Sequence, residues 1–144
     1  MTTRASIIAA VEAALSGITR DNGYTTDAGQ TVEQWRTRPV IQGEPRPALT
    51  VRDTTDSIEL RYGQAVHTLT LEIDAVTDGD TTAATLRELA GDVLAALGSN
   101  ETWGGLAEGT EAKQITLEVV RDGQPAGSLQ VQATVTYATE SFKL

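Results

Sequence analysis

The chain has 144 residues, no cysteine, a single histidine and a formal charge of −9. This length suits one domain, residues 1–144, that buries roughly 68–70% of its unfolded-chain surface without staples; the missing cysteines exclude disulfide frameworks, thiolate catalysis and cysteine-based zinc sites, and one histidine excludes a multi-histidine metal centre within one chain. Residues 1–65 carry seven basic and eight acidic side chains, whereas residues 66–144 carry four and twelve, an acidic excess that disfavours ordinary binding to nucleic-acid phosphates.

Ile7, Ile8, Val11, Leu15 and Ile18 recur at helical spacing, which predicts an amphipathic helix from about Thr3 to Gly17 capped by Thr2 or Thr3. Its interspersed Ser6, Glu12 and Ser16 set it apart from a signal peptide, and no apolar run approaches the ~18 residues of a membrane span. Residues 19–30 read as a polar connection with a turn at Asn22-Gly23, in which Tyr24 packs. Residues 31–41 suit an extended edge piece or projecting arm, because Arg38-Pro39 disfavours helix and Pro39, Pro45 and Pro47 cannot donate to a ladder. Two short runs, ALTVRD and SIELRYG, read as neighbouring strands joined by Asp53-Thr54-Thr55-Asp56, a connection of hairpin length.

The clearest pattern begins at His67. Leu69, Leu71, Ile73 and Ala75 alternate with Thr68, Thr70, Glu72 and Asp74, the signature of a half-buried strand. After the breaker Asp78-Gly79-Asp80 the period turns helical, with Leu86, Leu89, Ala90, Val93, Leu94 and Leu97 in one stripe and Gly98 as the stop; Asp78 and Asp80 suit the cap of that helix. A glycine-rich loop follows, then a long hairpin turning at Asp122-Gly123. The expected fold is α+β: one mainly antiparallel sheet, two helices packed on one face, and a projecting arm or hairpin.

No nucleophile elbow, phosphate loop or dinucleotide fingerprint occurs, and Asp74, Asp78 and Asp80 lack EF-hand spacing, so the sequence assigns no catalytic, cofactor-binding or metal-ligating residue. His67 reads as a surface or semi-buried histidine of the sheet, and Glu72 and Asp74 as a solvated pair of acids on one strand face. Trp103 reads as a lid over the core. Trp35 stands beside an arm that gathers Arg36, Arg38, Arg46 and Arg52 in a chain whose other half is acidic. These residues are candidates for a contact in which the basic arm of one copy meets the acidic half of the next, a heterologous contact able to close into a ring.

An N-terminal amphipathic helix, the stretch GYTTDAGQTV, the strand PALTV at 47–51, a long alternating strand, a helix ending ALGSNETWGGLAEG and a closing β-hairpin together resemble the tail terminator, or tail completion, proteins of long-tailed bacteriophages, of the minor tail protein U type. The resemblance spans nearly the whole chain and contains no catalytic signature. It implies a non-enzymatic virion protein, assembled in the host cytoplasm, that forms a homohexameric ring at the head-proximal end of the tail. Such a ring stops polymerisation of the tail tube protein and meets the neck or head-completion protein, while DNA passes through without specific binding and no membrane is involved. Glu72 and Asp74 are then candidates for a channel or subunit-facing surface. A head-completion or neck adaptor is the alternative of the same kind; a small acidic ligand- or calcium-binding domain is the alternative of another class.

Overall fold

The structure, a computed structural model, describes residues 1–36, 47–78, 83–120 and 126–144. Helix α1 spans Thr3–Ser16, and two short 3-10 turns at Arg20–Asn22 and Ala28–Gln30 lead into strand β1, Val32–Gln34. Strands β2, Ala48–Arg61, and β3, Gln64–Asp78, are followed by helix α2, Ala83–Gly98, and then by β4, Gly109–Val120, and β5, Ala126–Glu140. The strands form one sheet in the order β1-β2-β3-β5-β4. Only β1 and β2 run parallel; the remaining neighbours are antiparallel. The expected α+β class with a mainly antiparallel sheet is what the chain adopts.

Register explains why one face holds the core. Leu49 lies opposite Ala75 and Ala75 opposite Leu129, while Val51, Ile73 and Val131 form the adjacent row. These side chains are buried together with Ile7, Val11 and Leu15 of α1 and Leu86, Leu89, Val93 and Leu97 of α2. Of the two candidate caps it is Thr2 that serves α1, its hydroxyl accepting a hydrogen bond from Ala5 N (3.1 Å). No helix among the described residues is long and apolar enough to cross a membrane.

Three details differ from the sequence reading or fall outside it. Residues 53–56 do not connect two strands: β2 is continuous, and the ladder to β3 shifts register between Asp53 and Thr55. A β-bulge inserts one extra residue, so Asp53 and Asp56, three apart, both oppose inward-facing residues, Leu71 and Leu69. The polar run mimicked a turn, whereas the chain reverses at Tyr62-Gly63, both at positive φ (50° and 81°), the geometry of a two-residue hairpin loop that matches strand twist. Finally, residues 32–34 of the expected edge piece form the edge strand β1, whereas Arg38-Pro39, Pro45, Gly79, Asp80 and Asp122-Gly123, with the side chain of Asp78, lie outside the described residues, so the rest of the arm, the helix cap and the second hairpin turn do too.

The loop after α1 returns tightly against it. Gly29 N donates to Ile18 O (2.8 Å), and a Cβ at Gly29 would sit 2.5 Å from Ser16 O and 2.7 Å from Leu15 O. Both neighbours are backbone and cannot rotate away. Gly29→Ala is expected to destabilise the protein by about 2 kcal/mol in urea unfolding, whereas Gly98→Ala, with no atom within 4 Å of the added carbon, should leave the midpoint nearly unchanged.

Candidate interaction surfaces

The sheet face turned away from the helices is polar. Arg52 stands opposite Glu72, and Asp74 opposite Gln130. The Arg52 guanidinium donates through Nη2 to Glu72 Oε2 (2.7 Å) and through Nε to Asp74 Oδ2 (3.0 Å), and Gln130 Nε2 donates to Asp74 Oδ1 (3.0 Å). The two acids singled out as channel or subunit-facing candidates thus lie outside the core, on a half-exposed face. There they share an arginine that the sequence assigned to the basic arm. One guanidinium holding two carboxylates fixes all three side chains, although each exposed pair contributes only about 0.5 kcal/mol.

Trp35 extends this cluster. It is 48% exposed and sits at φ 46°, with its backbone N–H donating to Val51 O (3.0 Å) and its indole N–H to Asp53 Oδ1 (2.7 Å). The Arg52 Cζ lies 6.0 Å from the centre of its ring, at the outer limit of a cation–π contact. Arg36 is instead drawn inward, its side chain only 6% exposed and its Nη2 3.2 Å from Glu33 Oε1. Arg38 and Arg46 lie outside the described residues. Trp35 therefore stands at the sheet edge between Asp53 of the helix side and Arg52 of the outer face; of the two only Arg52 reaches Glu72 and Asp74, and Arg36 is enclosed beside Glu33. Trp103, by contrast, is buried as a core lid, with its indole N–H donating to Thr110 Oγ1 (2.9 Å).

On the helix side, a buried polar cluster joins four elements, and sequence reasoning did not find it. His67 is fully buried rather than superficial. Asp56 Oδ1 accepts from its Nδ1 (3.0 Å), Thr139 Oγ1 lies 2.9 Å from its Nε2, and its ring stacks on Tyr137 with centroids 4.3 Å apart. Asp56 Oδ2 accepts from the Tyr137 hydroxyl (2.8 Å) and faces Arg4 Nη1 at 3.5 Å, while Arg4 Nε donates to Asp53 Oδ2 (2.7 Å). Burial and the Asp56 carboxylate hold the Tyr137 phenol far above its ordinary pKa. Burial pushes Asp53 up, but its bonds from Trp35 and Arg4 outweigh that and hold its carboxyl below the usual range.

Asp56, His67 and Thr139 follow the order of an acid, base and nucleophile. Here, however, the ring is sealed, and the Thr139 hydroxyl has carbonyl acceptors of its own in Glu140 O (2.9 Å) and Lys143 O (3.1 Å). The cluster locks the chain end: Lys143 is tied through Thr139, and Leu144 O accepts from Thr3 N (3.1 Å).

A second buried acid fixes the loop that follows α1. Asp92, on the core side of α2, accepts from the N–H and hydroxyl of both Thr25 and Thr26 at 2.7–3.1 Å. Burial raises its pKa, but these four donors prevail and hold the carboxyl below the usual range. Among the described residues no group of three His, Cys, Asp or Glu side chains is placed to hold a metal ion.

Apolar side chains are exposed at two places on the helix side of the sheet. Ile58 and Leu60 line a cleft of about 300 Å³ with Ala65, Phe142 and Leu144. At the opposite edge, β4 has exposed side chains on both faces from Glu111 to Glu118, including Ile115 and Leu117.

Asp56→Ala strands the Tyr137 hydroxyl, the His67 Nδ1–H and part of Arg4. It should lower stability by about 3 kcal/mol in denaturant titration, with Asp56→Asn losing less because one acceptor oxygen remains. Because the Asp92 pKa is depressed in the folded state, its contribution is fully present above the unfolded-state value near 4 and is lost as pH falls through the lower folded value. In acid titrations, Asp92→Asn should therefore flatten the loss of stability below about pH 4 relative to the parent. Comparison of the sequence with models of known protein families and with characterised proteins finds no match.

Proposed function

We propose that the chain is a structural subunit of a bacteriophage tail, a terminator that caps the head-proximal end of the tail tube as a hexameric ring and faces the neck. The observation that supports this most is the bare outer face of the sheet. Thr70, Glu72, Asp74, Gln130, Gln132, Thr134 and Thr136 are each half-buried there within the single chain, and no second layer of described residues covers them. Uncharged Thr and Gln side chains around an Arg52–Glu72–Asp74 cluster that carries one more acid than base suit a surface that lies against another subunit or borders a DNA passage. Such a face offers few cations to bind phosphate, and a net acidic chain opposes sticking. The exposed Trp35, steadied by Asp53, is a suitable anchor at a subunit contact, since large aromatic side chains contribute strongly when a partner covers them.

Electron microscopy of lysates from a phage that carries this gene, compared with a deletion of it, tests the reading. Headless tails of uncontrolled, excessive length are expected. Headless tails of normal length would move the protein to the neck, and normal infectious particles would overturn the structural role altogether.

A further inference from the structure

We infer that the outer edge of β4 is a self-complementary pairing site, joining two copies of this chain across a two-fold axis through residues 114–118. The inference stands apart from the ring proposal, because it concerns an isologous contact between two copies.

An edge strand presents unpaired N–H and C=O groups, and natural proteins blunt such edges with bulges, lysines or short length. The beginning of β4 has these devices. Its ladder to β5 is interrupted between Ala112 and Gln114, and the extra residue is Lys113, which is held by Glu111. From Gln114 onward neither device recurs among the described residues, and pairing with β5 runs without a shift to Val120. On this regular stretch Ile115 is 42% and Leu117 37% exposed, although both point to the helix-covered side. An exposed apolar row beside the buried Val131 and Leu129, at an open edge, is a surface that another strand can complete.

The sequence of the stretch names the partner. Antiparallel pairing of two β4 edges that keeps both helix layers on one side requires opposed residues of the same parity. Centred on Thr116, it sets Ile115 against Leu117 twice on the helix side, and on the outer face it sets Gln114 against Glu118 twice, an amide donor facing a carboxylate. No like charges oppose one another. Shifting the centre to Glu118 would place two carboxylates face to face, and shifting it to Ile115 would set Lys113 against Leu117. Cross-strand pairs of the first kind stabilise a sheet, whereas directly opposed like charges destabilise it. The result is a continuous ten-stranded sheet, five strands from each copy.

The chain has no cysteine, so a single introduced thiol reports on the contact. In Thr116→Cys the paired Cα atoms would lie roughly 4.5–5.5 Å apart, within disulfide range. Mild oxidation of purified full-length protein should therefore give a disulfide-linked dimer at least ten times faster than Thr102→Cys, an exposed loop control. Sedimentation of the parent should show a mass of twice 15.2 kDa or a multiple of that dimer. Ile115→Lys, folded by circular dichroism, should weaken the dimer at least tenfold. Cross-linking of Thr116→Cys no faster than the control, or an Ile115→Lys variant that dimerises as the parent does, would overturn the inference. A hexamer without rapid cross-linking at position 116 would overturn it while leaving the ring standing; a dimer that forms no ring would support it and count against the ring.

Discussion

Helices α1 and α2 reach only one face of the sheet, and much of the structure follows from that asymmetry. Leu69, Leu71, Ile73 and Ala75 supply the centre of the buried face because β3 lies between β2 and β5, the neighbours that carry the other apolar rows. Each fully buried Leu or Ile contributes roughly 1.5–3 kcal/mol, and removing any one would open a cavity in the middle of the core. The outer face needs no apolar residues, which leaves it free to carry Thr, Gln and paired charges.

Where the helices stop, polar groups seal the core. At the hairpin end the sheet extends past α1, and its inward positions change from Leu and Val to His67, Tyr137 and Asp56. Burial of these groups is tolerable because each has partners: the carboxylate of Asp56 serves Tyr137 and His67, and Arg4 offsets its charge. Asp92 performs the same task at α2, holding two threonines of a loop that would otherwise leave its amides without acceptors. Both acids stabilise by satisfying neighbours, so an apolar side chain of similar size would not substitute for either unless those neighbours changed as well.

The surfaces left over are distinct in character. The outer face is polar, with one arginine held between two acids; the hairpin end and the helix side of the β4 edge expose apolar side chains. A one-layer sheet of this kind has more places to meet other chains than a sandwich of the same length, because neither its outer face nor its edges are consumed by its own folding. That asymmetry is compatible with a subunit of an assembly, and the proposed ring and the proposed two-fold contact draw on separate surfaces.

Periodicity in the chain was enough to determine α1, α2 with its stripe and the alternating β3 and β5, since each depends on residues near in sequence; it left the α1 cap between Thr2 and Thr3, and the core-lid reading of Trp103 rests on its glycine-rich loop rather than on any period. It also placed Glu72 and Asp74 on the polar face. The continuity of β2 was not legible, because a bulge interrupts alternation just as a turn does, and Asp53-Thr54-Thr55-Asp56 has the composition of either. Asp92 left a trace, an acid among the apolar positions of α2, but nothing local pointed to Thr25 and Thr26. The meeting of Asp56 with Tyr137, 81 residues away, and of Arg52 with Trp35, Glu72 and Asp74 was decided by strand order and register alone. Local pattern determines which side of an element faces the core; only the packed sheet decides which neighbours a side chain finds there.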